Sequence, residues 1–216
     1  MTPGSPVADG PLLSVESLTV DVAGRRGALR VVDGISFHVD RGETLGVVGE
    51  SGCGKSLSML SLVGLLPNRI AVTGGTARLG GRDLIAMTRR ELREVRGGEV
   101  GFIFQDPMTS LNPVLRLGDQ LAEPLIYHRG MSRAEAWARA GELLGLVGIP
   151  SPEQRLRSYP HELSGGQRQR IMIAIGLACD PSLLIADEPT TALDVTIQAQ
   201  IVDLVKSLRA RVGMSV

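Results

Sequence analysis

The run Gly49-Glu50-Ser51-Gly52-Cys53-Gly54-Lys55-Ser56 fits G-x-x-x-x-G-K-[ST], and it stands where that pattern needs to stand, between an apolar run and a helical one. Leu45-Gly46-Val47-Val48 before it reads as a short buried strand, and Leu57 to Leu66 after it has the apolar spacing of a helix. Such a loop wraps a phosphate with backbone N–H groups at a helix N-terminus. Glycines let the backbone close on the anion, Lys55 supplies a point charge for the terminal phosphates, and the Ser56 hydroxyl is placed to ligate Mg²⁺. The competing reading is a glycine-rich turn that binds nothing. Against it, the chain has only two lysines, Lys55 and Lys206, beside twenty-one arginines, so a lysine at this position is hard to assign to chance.

At 216 residues and 43% hydrophobic content the chain can bury one sizeable α/β core plus a subdomain. Its formal net charge is zero and its arginines are interspersed with acids, so nucleic acid is not expected as a partner. Cys53 and Cys179 have no metal-ligand spacing and suit a reducing compartment as inert thiols. No apolar run reaches the ~20 residues of a membrane span, and Met1 to Pro11 is a Pro/Gly/Ser-rich lead-in expected to be disordered.

In chain order, Leu12 to Val22 and Arg30 to Val39 predict a hairpin around the Gly24-Arg25-Arg26-Gly27 turn. Thr76 to Leu79 and Arg82 to Leu84 flank a Gly80-Gly81 turn, and Thr88 caps a short helix to Arg96. Glu99 to Phe104 is apolar on both faces, the mark of a strand inside a parallel sheet, and ends at Gln105. From Asp106 to Asp180 the pattern turns helical. Ser132-Arg133-Ala134-Glu135 is a capping box opening a helix to about Val147, and Gly165 to Ala178 forms another. Leu183 to Ala186 predicts a buried strand, and Val195 to about Val212 a helix stopped by Gly213. The division that follows is a lead-in at 1–11, a first core segment at 12–105, a helical subdomain at 106–180 and a second core segment at 181–216.

Asp187 and Glu188 follow the Leu183 to Ala186 strand. A carboxylate at the C-terminal end of a buried strand faces the phosphate crevice, so Asp187 can share Mg²⁺ with Ser56, and Glu188 can orient and deprotonate a water. An Asp-Glu pair alone is more often a plain strand terminus; its pairing with the phosphate loop reverses that preference. Ser164-Gly165-Gly166 at a helix start is a second anion site on physical grounds, with a plain Ser N-cap as the alternative.

Leu163-Ser164-Gly165-Gly166-Gln167 resembles the signature of the ATP-binding cassette (ABC) family. With Gln105, Asp187-Glu188 and Thr191-Ala192-Leu193-Asp194 the resemblance covers nearly the whole chain. The runs Ile103 to Pro113, Tyr159-Pro160-His161-Glu162, Ala178-Cys179-Asp180-Pro181 and Asp187 to Gln200 are similar to the ATP-binding subunits of oligopeptide, dipeptide and nickel importers. The resemblance implies a P-loop NTPase fold of the ABC type: α/β, a mostly parallel core sheet, an antiparallel β region and an inserted helical subdomain. It implies ATP and Mg²⁺ as ligands, Glu188 and Gln105 as catalytic residues, and Ser56, Gln105 and Asp187 as metal ligands. Nucleotide contacts would come from Gly49 through Ser56, Gln105 and Asp187, and from Ser164, Gly165, Gly166 and Gln167 of a second ATPase subunit in a head-to-tail homo- or heterodimer. Further implied partners are transmembrane permease subunits, met through the Gln105 loop and the helical insert, and indirectly an extracytoplasmic solute-binding protein. That places the protein peripherally on the cytoplasmic face of the cell membrane. A soluble ABC ATPase not coupled to transport, and a non-hydrolysing ATP-binding fragment, are the alternatives.

Two departures stand out. Many relatives stack adenine on an aromatic ring near the end of the first strand, whereas this chain has Val22 there, so base contact is expected to be weak or to come from elsewhere. The family also continues to a histidine that contacts the γ-phosphate, and His38, His128 and His161 lie in other contexts. The sequence, closing on Met214-Ser215-Val216, is therefore expected to be the first part of a longer subunit or fused double cassette, binding Mg-ATP and hydrolysing it slowly by itself.

Overall fold

The computed structural model describes residues 10–24, 27–106, 110–191 and 193–216. The packing separates two compact units, one formed by the chain through Leu92 together with Ser215, the other by Arg93–Met214 together with Val216. The lead-in through residue 9, the Arg25-Arg26 turn, Pro107-Met108-Thr109 and Ala192 lie outside the described residues.

The first unit is built on an antiparallel sheet in the order β2-β1-β3-β4, from β1 (Leu13–Gly24), β2 (Gly27–Val39), β3 (Ile70–Leu79) and β4 (Arg82–Asp83). The expected β1–β2 pairing is present, from Leu13↔Val39 to Gly24↔Gly27. In β1 the buried face changes phase, from Leu13 and Val15 to Leu18 and Val20. A bulge at Ser17, whose φ is 50°, makes the shift, because one extra residue swaps which side chains point inward. The Ser17 N–H donates to Ser36 Oγ at 2.8 Å, so it is not orphaned. On the neighbouring strand only a glycine fits at Gly75, since a Cβ there would run into the Glu16 and Ser17 carbonyl oxygens.

Leu45-Gly46-Val47-Val48 departs from the expected buried strand. The segment belongs to no strand, and Val47 and Val48 are 48% and 96% exposed. Four apolar residues become a strand only when a neighbour completes their hydrogen bonds, and the ladders of the described residues pair β1, β3 and β5 with other partners. Helix α1 (Lys55–Leu62) stops earlier than the pattern suggested, because Gly64 turns left-handed at φ 64° and Leu65 N–H closes back on Leu60 O at 2.9 Å. Thr88 and Glu91 cap α2 (Arg89–Gly98) reciprocally, and the helical backbone breaks at Arg96 and Gly97. Ser215, fully buried, accepts from Gly42 N–H at 2.8 Å and donates to Asp40 O at 2.9 Å.

In the second unit β5 (Val100–Ile103) and β6 (Leu183–Ala186) pair in parallel, from Val100↔Leu183 to Ile103↔Ala186. Around them lie α3 (Leu117–Arg129), α4 (Arg133–Leu146), the single turn α5 (Pro152–Arg155), α6 (Gly165–Leu177) and α7 (Val195–Val212). The apolar core runs through Ile103, Leu121, Leu144, Ile171, Ile173 and Leu184. The predicted capping box is present on α4, with Ser132 N–H donating to Glu135 Oε2 and Glu135 N–H to Ser132 Oγ. Beneath α3, Cys179 is buried; its thiol donates to Pro124 O at 3.4 Å and burial pushes its pKa up, which keeps it in the unreactive thiol form.

Helix α6 sits so close on β5 that a Cβ on Gly101 would collide with the Gly176 carbonyl, with Leu184 Cδ1 at 3.0 Å. The obstruction is backbone, which cannot rotate away. Gly101→Ala is expected to cost about 2 kcal/mol or more of stability through overpacking, read as a lower denaturant midpoint. An unchanged midpoint would mean that α6 is free to lift off the strand.

Candidate active site

The phosphate loop lies in the first unit. Gly52 and Gly54 adopt φ 81° and 96°, and Gly54 is the residue from which α1 starts, without a side-chain cap. A Cβ at Gly54 would lie 2.8 Å from Val31 O, so glycine is required there twice, for its left-handed backbone and for the approach of β2. Lys55 folds back into the loop, its Nζ donating to Gly49 O at 2.8 Å and Glu50 O at 2.9 Å, with Cys53 Sγ at 4.0 Å. The ammonium therefore sits inside the ring of backbone that the sequence assigned to the anion. Glu50, Ser51, Gly52 and Cys53 are exposed, and Ser56 is half-buried in the first turn of α1. Loop N–H groups, an uncapped helix start and one cation give this segment a positive field.

The carboxylate end lies in the second unit, where strand register explains its geometry. Ile103 pairs with Ala186, so Gln105 and Glu188 each stand two residues beyond the last paired position of parallel strands. Gln105 Nε2 donates to Glu188 Oε2 at 2.7 Å. Asp187 N–H extends the ladder by donating to Ile103 O at 2.9 Å, and its side chain is buried, with 9% of the residue exposed. Glu188 has a left-handed backbone, φ 46°, which is strained for a residue with a side chain. Thr191 Oγ1 donates to the same Glu188 Oε2 at 3.1 Å. The sequence pointed to Gln105 and Glu188 separately but not to their contact, and it gave Thr191 no role. The sequence offered only proximity, a Thr three residues after a carboxylate, and no fixed spacing governs such a side chain–side chain bond.

At the start of α6, Ser164 Oγ accepts from Gln167 N–H at 3.3 Å, and Gln167 Oε1 accepts from Ser164 N–H at 3.1 Å. The plain cap is thus present, and the hydroxyl keeps its own proton and a second lone pair for another contact. Gly165 lies against Leu193, and a Cβ on Gly166 would come within 3.0 Å of Ile197 Cγ2, so the glycines let the first turn of α7 approach. Asp194 caps that turn by accepting from Ile197 N–H at 3.0 Å. Val22, where an aromatic ring was missed, is a half-buried residue of β1 paired with Leu29 and Ile70. Among the described residues no group of three His, Cys, Asp or Glu is arranged for a metal, and no helix is long and apolar enough to cross a membrane.

A family model described as ABC transporter matches residues 32–191. The chain belongs to the ABC transporter family. This ABC chain is 55% identical over 206 residues to the "Probable peptide ABC transporter ATP-binding protein y4tR" of Sinorhizobium fredii. It is 50% identical to the dipeptide transport ATP-binding protein DppD and to the oligopeptide transport ATP-binding protein AppD, both of Bacillus subtilis. These matches take in 95% of the ABC chain and 62–63% of the relatives, so it spans under two thirds of their length. Among solved structures it resembles the ATP-binding cassette MJ0796, described as dimeric in a post-hydrolysis state bound to ADP and Pi. The TM-score is 0.82 and the identity 29%, over 94% of this chain and 85% of that one. The cbiO1 subunit from Clostridium perfringens gives 0.78 and 26%, over 96% of this chain and 77% of that one. The expected α/β ABC cassette fold is therefore the fold of this chain; the parallel pairing among its described strands is β5–β6.

Proposed function

We propose that this chain is the ATP-binding and ATP-hydrolysing part of an importer for di- or oligopeptides. The observation that carries the reading is the 2.7 Å contact between Gln105 and Glu188 at the ends of parallel strands, in a chain that also holds a closed Gly49–Ser56 loop. That pairing brings an amide and a carboxylate to one point, as activation of a water demands. Relatives named for peptide transport support the substrate class over nickel.

In this reading Gly49 to Ser56 cradle the phosphates of ATP and Lys55 moves from the Gly49 and Glu50 carbonyls onto the terminal phosphates. Mg²⁺ would be held by the Ser56 hydroxyl, the Gln105 amide oxygen and the Asp187 carboxylate. These are hard oxygen donors of the kind that ion selects. Bound there, the ion offsets charge on the phosphate oxygens. Glu188 orients the attacking water and takes its proton. Ser164, Gly165, Gly166 and Gln167 serve the nucleotide of a second ATPase subunit in a head-to-tail dimer, a reading supported by the dimeric cassette among the solved structures. Permease subunits would meet the helical segment 106–180, set between core segments 12–105 and 181–216, which puts the protein peripherally on the cytoplasmic face of the membrane.

The test pairs two assays. Purified protein should release phosphate from Mg-ATP, and cells lacking the gene should lose uptake of a labelled dipeptide. Turnover with unchanged peptide uptake would remove the transport assignment and leave a soluble ATPase.

A further inference from the structure

We propose that Thr191 is a positioning residue for ATP hydrolysis: its hydroxyl, together with the Gln105 amide, fixes the orientation of the Glu188 carboxylate. The inference rests on the reading of Glu188 as the group that acts on the attacking water, and it adds a residue which that reading does not need.

The turn after β6 is closed by its backbone, Thr191 N–H donating to Glu188 O at 3.1 Å. The Thr191 hydroxyl is therefore surplus to the turn. It makes instead a second bond within the same four residues, to Glu188 Oε2 at 3.1 Å. Thr191 and Glu188 are not enclosed by the core, and a glutamate in such a place samples many rotamers. One hydrogen bond leaves a carboxylate able to swivel about the contact. Two donors on one oxygen, arriving from separate segments of chain, restrain Oε2 from two directions and so narrow the rotamers open to the group.

The two donors differ in what can disturb them. Gln105 reaches Glu188 across 83 residues of sequence from the end of β5, and its amide is also the proposed metal ligand, so this contact changes whenever that amide is engaged elsewhere. Thr191 is three residues away on a closed turn, so its bond does not depend on the register of the two strands. The left-handed backbone of Glu188 points the same way, because a strained φ persists only where surrounding contacts over-determine it.

Steady-state ATP hydrolysis of Thr191→Val, Thr191→Ser and Glu188→Gln in the full-length protein decides the matter. Valine keeps the β-branched shape without the donor, whereas serine keeps the donor. Thr191→Val is expected to lower kcat roughly tenfold, the scale of a lost bond to a charged acceptor, with KM for ATP within about twofold and Thr191→Ser close to wild type. The proposal is overturned if Thr191→Val keeps its kcat, or if Thr191→Ser falls as far as Thr191→Val, which would mark a packing role. Should the valine variant melt early, Thr191→Ala gives the same comparison with serine. Glu188→Gln separates the two layers: wild-type turnover in that variant would sink the Glu188 reading itself, whereas its loss beside a normal Thr191→Val sinks only the role of Thr191.

Discussion

Glu188→Gln is expected to reduce steady-state ATP hydrolysis by roughly a hundredfold to ten-thousandfold, the range typical of a lost general base. The substitution isolates that role. A glutamine side chain still offers an oxygen to the Gln105 amide and the Thr191 hydroxyl, which now meet Glu188 Oε2 at 2.7 and 3.1 Å. Shape and anchoring survive, and only the charge and the ability to take a proton are removed. Mg-ATP affinity measured by calorimetry should therefore hold while phosphate release collapses. A variant that keeps its turnover would move the base to another residue, and one that loses affinity in proportion would make Glu188 a ground-state binding group.

Lys55→Ala should weaken Mg-ATP binding by about a hundredfold or more, since two charge-assisted contacts to phosphate, each about 1.5–3 kcal/mol, disappear together. The structure adds an opposing effect. The Lys55 ammonium is held by Gly49 O and Glu50 O, so a contact it moves from these carbonyls to phosphate is an exchange of bonds, whereas alanine has none to exchange. The phosphate contacts win, because an anionic oxygen is the stronger acceptor, roughly twofold over a neutral one. Lys55→Arg should not restore affinity, as a planar guanidinium does not reproduce the compact point charge that the ammonium sets between Gly49 O and Glu50 O. Calorimetric titration of the three forms reads this directly, and nucleotide binding unchanged in Lys55→Ala would remove the phosphate-loop assignment.

What could be read in the sequence was local. The caps at Ser132 and Ser164, the stop at Gly213 and the apolar strands β5 and β6 rest on spacing of a few residues, and they lie where that spacing puts them. Leu45-Gly46-Val47-Val48 misled because strand character there depends on a partner, which no local pattern supplies. Helix α3 was hidden inside a generally helical stretch, for Pro124 in its middle removes an N–H from the ladder and reads as a break. The bulge at Ser17 was missed because the apolar residues on either side of it each alternate correctly. For the site, the individual residues were legible and their contacts were not: Gln105 and Glu188 meet only through a register that joins residues 83 apart.

The buried Ser215 has a consequence for how the polypeptide is made. Its hydroxyl closes on Asp40 and Gly42 across 175 and 173 residues, so the first unit receives this tie from a residue translated after Arg93–Met214 of the second. At ribosomal speeds the interval between Leu92 and Ser215 is on the order of ten seconds. During that time the four-stranded sheet can form while the turn after β2 still lacks its serine. Contacts of such long sequence separation are the slow ones in folding. The nascent chain should therefore dwell with its Asp40–Gly42 corner loose, exposed to proteases and chaperones, until the end of α7 has left the exit tunnel.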